Sequence, residues 1–134
     1  MFGGKRTNPQ IWVTDATGRE IRQITNDAGT NVDPSWSPDG SRIALLTQTS
    51  PASGDRFVGI WNIRVVDSGG GPTELVTNDD HVNSMPKWID DKSIIFHRFE
   101  YGLDTGFDIW TVNVDGSKFE PFLVTGADEE YADP

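Results

Sequence analysis

Residues 11–46 read IWVTDATGREIRQITNDAGTNVDPSWSPDGSRIALL, and this stretch decides the fold because the chain repeats it. A shift of 52 carries Ile11 to Ile63, Asp15 to Asp67, Gly18 to Gly70, Thr25 to Thr77, Asp27 to Asp79, Asn31 to Asn83, Pro34 to Pro86 and Trp36 to Trp88. From the second copy, a shift of 46 carries Ile63 to Ile109, Val66 to Val112 and Gly70 to Gly116. After a two-residue insertion the shift becomes 48, and Thr77 maps to Thr125 and Pro86 to Pro134. The even spacing of Trp12, Trp61 and Trp110 misleads. Trp12 and Trp110 correspond, but Arg64 stands in their place in the second copy.

Within each copy the pattern is one of short strands separated by turn residues. Gln10–Asp15 alternates, with Ile11 and Val13 on one face and Trp12 and Thr14 on the other. Gly18 permits a tight reversal into a strand over Glu20–Thr25. Pro34–Ser37 and Ser41–Gln48 read as two more strands around the turn Pro38-Asp39-Gly40. The later copies predict strands over Ser93–Phe99, Ile109–Val114 and Phe119–Thr125. No segment sustains a 3.6-residue period with capping signals, so almost no helix is expected. Four short antiparallel strands per unit of about 40–50 residues is the arithmetic of a β-propeller blade. Such blades stack face to face, so apolar residues are needed on both sides of the sheet.

Working outward, the whole chain has 134 residues, a size that ordinarily means one domain. It carries 11 Lys+Arg against 21 Asp+Glu, a net charge of -10. That balance argues against a phosphate-binding surface for nucleic acid. No apolar run reaches the length of a membrane span, so no membrane insertion is expected. Five Trp, seven Phe and two Tyr argue against disorder. The absence of cysteine excludes disulfides, cysteine nucleophiles and thiolate metal sites. The opening residues MFGGKRTN lack the apolar stretch of a signal peptide.

The segments Asp33–Thr47 (DPSWSPDGSRIALLT) and QIWVTDATG followed by IRQIT resemble the TolB-like, WD-like propeller repeat. The resemblance covers about Gln10 to Pro134. It implies an all-β fold and a fixed strand order, running from the SW strand at the centre to the IRQIT-type strand outermost. Mapped onto this chain it gives a partial propeller of about two and a half four-stranded antiparallel blades within a single region, 1–134. Residues 9–25 form an outer half-blade, 34–77 and 86–125 form two blades, and 126–134 lead into a further blade. The second copy departs at one hairpin, where Pro38-Asp39-Gly40 becomes Asp90-Asp91-Lys92. Closed propellers need four or more blades. The arc is therefore expected either to belong to a longer propeller or to close by assembly with copies of itself.

The candidate partner-binding residues are acidic and amide side chains in three equivalent loops. Asp27, Asn31 and Asp33 form the first group, Asp79, Asp80 and Asn83 the second, and Asp128, Glu129, Glu130 and Asp133 the third. Gathered on one face they would present a negative rim to a protein or peptide partner. No cofactor and no catalytic residue is expected; Ca²⁺ on the rim is the weaker alternative, and no EF-hand spacing supports it. His81 and His97 are read as one loop and one strand histidine. G-x-S-x-G and P-loop signatures are absent, and Gly69-Gly70-Gly71 reads as a hairpin turn. Phe57, Phe99, Tyr101 and Phe107 are expected to pack between blades, or else to form an apolar partner site. The resemblance implies a non-catalytic module for protein–protein interaction with a periplasmic or extracytoplasmic location. The alternative is part of an enzyme-associated propeller, either a peptidase gating domain or a polysaccharide lyase.

Overall fold

In a computed structural model, the residues described are 8–54, 58–101 and 106–123. Every regular element among them is a strand: β1 (Trp12–Thr14), β2 (Ile21–Gln23), β3 (Asn31–Trp36), β4 (Arg42–Ser50), β5 (Ile60–Asp67), β6 (Thr73–Leu75), β7 (Val82–Trp88), β8 (Ser93–Phe99), β9 (Phe107–Asn113) and β10 (Glu120–Leu123). Strands β3 to β6 pair in chain order as one antiparallel blade, and β7 to β10 do the same. A single parallel pair, Trp61 with Val82, links the two blades. The hairpin β1–β2 stands apart as a two-stranded sheet. The fold is an all-β partial propeller.

Period-2 alternation makes both faces of a blade apolar. Along β4, Ile43 and Leu45 point to one side and Ala44 and Leu46 to the other. The first side packs on Ile11, Ile24 and Val13 of the half-blade. The second, with Ile63, Val65 and Val76, packs on Trp88, Ile94, Phe96 and Val112 of the next blade. Each of these large side chains contributes about 1.5–3 kcal/mol on burial. Phe119 extends this core, edge-on to Phe96 at 5.7 Å and to Trp110 at 5.4 Å.

The inner strands begin earlier than the proline positions suggest. Proline donates no hydrogen bond, yet the ladder continues across Pro34 and Pro86 because each sits in a bulge. The residues before them, Asp33 and Met85, adopt left-handed backbone at φ 58° and 53°. Asn31 and Asn83 are consequently strand residues and not loop residues, and both are buried. The altered hairpin has a local explanation as well. Between β3 and β4 the turn is closed by Ser37 and Arg42, with Gly40 at φ +74°. Between β7 and β8 it is closed by Ile89 and Ser93, one residue shorter. No residue of that shorter turn has a positive φ, so it needs no glycine.

Candidate functional site

The first two predicted acidic groups lie at junctions between successive blades, and one carboxylate of each is committed there. At the first junction Asp27 Oδ1 accepts from the Gly29 N–H at 2.8 Å and from Asn31 Nδ2 at 2.9 Å. Asn31 Nδ2 also donates to Gln10 Oε1, as does Thr25 Oγ1 at 2.7 Å. Thr25 Oγ1 in turn accepts from the Ile11 N–H. The loop into β3 is thereby tied to the residues that flank both strands of the half-blade, Gln10 before β1 and Thr25 after β2.

The second junction repeats this network at a shift of 52. Asp79 Oδ1 accepts from the His81 N–H and from Asn83 Nδ2, each at 3.1 Å. Thr77 Oγ1 donates to Asn62 Oδ1 and accepts from the Ile63 N–H, both at 2.8 Å. Asn62 replaces Gln10. The residue that differs is on β8, where Arg98 stands in the place that Thr47 holds on β4. Arg98 donates to Asp79 Oδ2 at 2.6 Å and to Asn83 Oδ1 at 3.0 Å. It also meets His81 Nδ1 at 3.1 Å, and because guanidinium can only donate, that nitrogen is an acceptor. Its planar head lies 5.1 Å from the Trp110 ring and 4.8 Å from Phe119. Burial pushes the Asp79 carboxyl up, but Arg98, Asn83 and the His81 N–H pull it further down, to below its ordinary 3.8.

Of the other predicted residues, Asp33 and Asp80 are exposed and make no hydrogen bond or ion pair among the described residues. Asn31 and Asn83 are buried members of the network. Asp128, Glu129, Glu130 and Asp133 lie outside the described residues. Among the described residues no three or more His, Asp or Glu side chains come together as a metal site. Phe99 contacts Tyr101 and Phe107, each at 5.4 Å, and the Tyr101 hydroxyl donates to Gly59 O. These aromatics pack on one another; Phe57 is outside the described residues.

Sequence reading missed Gln10, Asn62 and Arg98. The first two were detectable, because they occupy one repeat position beside the matched Thr25 and Thr77. Arg98 has no counterpart in the other copy, so the repeat gave it no signal.

At the opposite end of the blades the turns also interlock. Arg22 donates to Ser68 O, the Asp39 N–H donates to Asp91 Oδ1, and Arg42 donates to Asp91 O while lying 5.3 Å over the Trp88 ring. The Asp39 carboxylate accepts from the Ser41 N–H and from the Ser41 and Ser37 hydroxyls, which hold its pKa at about 2. No helix among the described residues is long and apolar enough to cross a membrane.

The chain is similar in sequence to the Tol-Pal system protein TolB of Nitratidesulfovibrio vulgaris, with 36% identity over 52 residues. That match takes in 39% of this chain and 11% of the relative. It is similar in structure to a TolB-designated protein from Agrobacterium tumefaciens, with a TM-score of 0.66 and 24% identity over 88% of this chain and 39% of the other. TolB from Acinetobacter baumannii gives a TM-score of 0.63 and 18% identity over 85% of this chain and 26% of the other. A puromycin-hydrolysing peptidase of Mycobacterium tuberculosis gives 0.60 and 18% over 83% of this chain and 16% of the other. No family model matches the chain. The chain thus spans well under half the length of these relatives, and the likeness carries the TolB-like propeller fold.

Proposed function

We propose that this chain is a non-catalytic TolB-like propeller module that mediates protein–protein interaction outside the cytoplasm. The observation that carries the reading is the division of labour among its acidic residues. Asp27 and Asp79 hold blades together, whereas Asp33 and Asp80 leave their carboxylates free towards solvent. Free carboxylates beside a rigid, cross-linked rim suit a basic peptide or protein segment. The curated relative is by its name a component of a Tol-Pal system, and the extracytoplasmic location follows that likeness. Assembly with copies of itself belongs to the same proposal. The test compares the protein with its Asp33→Lys/Asp80→Lys variant in capture from an envelope extract. The variant is expected to keep its melting temperature and lose the captured protein. Unchanged capture would overturn the reading.

The structural likeness to a peptidase favours a second reading, in which the arc is the propeller of an enzyme. A hydrolase domain in the same reading frame separates the two.

A further inference from the structure

The two junctions are fastened alike but not filled alike. At the second, Trp88 of β7 closes one end of the interface and donates its indole N–H to Ser35 O at 2.9 Å. Arg98 fills the rim end, where it bridges Asp79 Oδ2 and Asn83 Oδ1. Asn31 holds the place of Asn83 at the first junction and is 1% exposed. Its Nδ2 makes the matching bond to the Asp27 carboxylate, so its Oδ1 faces the place that Arg98 takes at the second junction. There Asn31 Oδ1 is buried without a hydrogen-bond partner among the described residues. Asp27 Oδ2 is left over as well, because both bonds to that carboxylate group fall on Oδ1. A buried acceptor without a donor is costly, and a donor that reaches it relieves the cost. The difference lies in side chains of the blade itself. Thr47 stands on β4 where β8 has Arg98, and Gly29 stands in the loop where the second copy has His81. A Cβ on Gly29 would lie 3.1 Å from Asp27 Oδ1 and 3.6 Å from Thr47 Oγ1, so both oxygens border the place of the missing side chain.

We infer that the rim end of the first junction is a socket for a guanidinium group, carried by an arginine side chain of another polypeptide. The second junction specifies the occupant. Guanidinium is planar, carries five N–H donors and accepts nothing, which suits one carboxylate oxygen and one amide oxygen facing the same place. An ammonium is a point donor and serves such a pair less well. Asp27 is exposed, so the socket is reached from solvent at its charged side, and the net charge of -10 draws a cation in. The aromatic support of Arg98 is not repeated. Arg64 stands in the place of Trp110, with its Nη1 on Thr73 Oγ1 at 2.6 Å, so the incoming group depends on Asp27 and Asn31. The inference rests on the proposed function only in taking the ligand to be a basic polypeptide, and it uses neither Asp33 nor Asp80.

The test titrates the protein with acetyl-Gly-Arg-Gly-amide and follows the Asn31 carboxamide signal by NMR, assigned by Asn31→Ser. The signal is expected to shift saturably. The same peptide with citrulline, equal in shape but uncharged, is expected to leave it unmoved, and the lysine form to bind about five-fold more weakly. Free arginine should also bind more weakly, because its carboxylate adds an anion beside Asp27. Asp27→Asn keeps an acceptor for Gly29 and Asn31 but removes the charge, and should weaken binding about ten-fold. Thr47→Arg supplies the cation from β4, as β8 does at the second junction. It should raise the melting temperature, move the Asn31 signal as the peptide does and abolish binding. Equal binding by the citrulline peptide or by free arginine, or unchanged binding in Thr47→Arg, would overturn the inference. So would an Asn31 signal that matches the Thr47→Arg protein before any peptide is added, since the chain would then fill the socket itself. The Asp33→Lys/Asp80→Lys variant should titrate like the native protein, so the socket and the exposed carboxylates can each fail alone.

Discussion

The half-blade junction and the junction between the two blades are built from the same repeat, yet they are not equally closed. Both carry the Thr, amide and Asp network at the rim. Among the described residues, only the second has a buried cation across it and inner strands over its tryptophan. A repeat thus supplies the fastener at each junction, while tightness depends on what the neighbouring blade brings.

The largest expected contrast is between the paired tryptophans. Trp88→Ala should cost about 3–4 kcal/mol, because it empties a packed site and removes a hydrogen bond. Trp36→Ala should cost under about 1 kcal/mol, as for exposed positions generally. Urea melts of both variants check this, and similar losses would break the comparison.

Next come the fasteners. Asp79→Ala takes from Arg98, 8% exposed, its carboxylate at 2.6 Å and leaves it Glu100 at 3.5 Å, and should cost about 3 kcal/mol. Asp27→Ala faces no buried cation and should cost about 1 kcal/mol. The same melts measure both, and an Asp27 variant as damaged as the Asp79 variant would show that Arg98 adds nothing.

Acid sharpens the point. The folded pKa of Asp79 lies below its ordinary 3.8, so its contribution is complete above about pH 4 and fades as the pH falls through the folded value. Stability measured from about pH 5 down to about pH 2 should therefore fall more steeply in the native protein than in Asp79→Asn. Parallel curves would remove Asp79 from the account. The smallest effect is expected at the turns. Gly40→Ala meets no steric obstacle but forces a side chain into φ +74°, and should cost about 1 kcal/mol. Lys92→Ala, in the shorter turn, should be close to neutral by the same melts.

The arc itself was legible because register is a period-2 property and the repeat fixes it at many positions. What escaped was set by backbone detail or by single residues. Pro34 and Pro86 looked like strand starts, but bulges at Asp33 and Met85 extend the strands back to Asn31 and Val82. That moved Asn31 and Asn83 from an expected loop into the interior. Charge count points to acidic loops without showing which carboxylates are spent. Asp27 and Asp79 bind their own chain, and only their surroundings tell them from Asp33 and Asp80.

Residue-resolved native-state hydrogen exchange tests the contrast between the junctions most directly. Arg64 and Trp110 occupy the strand position of Trp12, and their amides point to a paired edge. They should exchange only through openings near the global unfolding energy, whereas the Trp12 and Thr14 amides should exchange through local fluctuations. Protection of Trp12 and Thr14 as strong as that of Arg64 and Trp110 would contradict an open first junction.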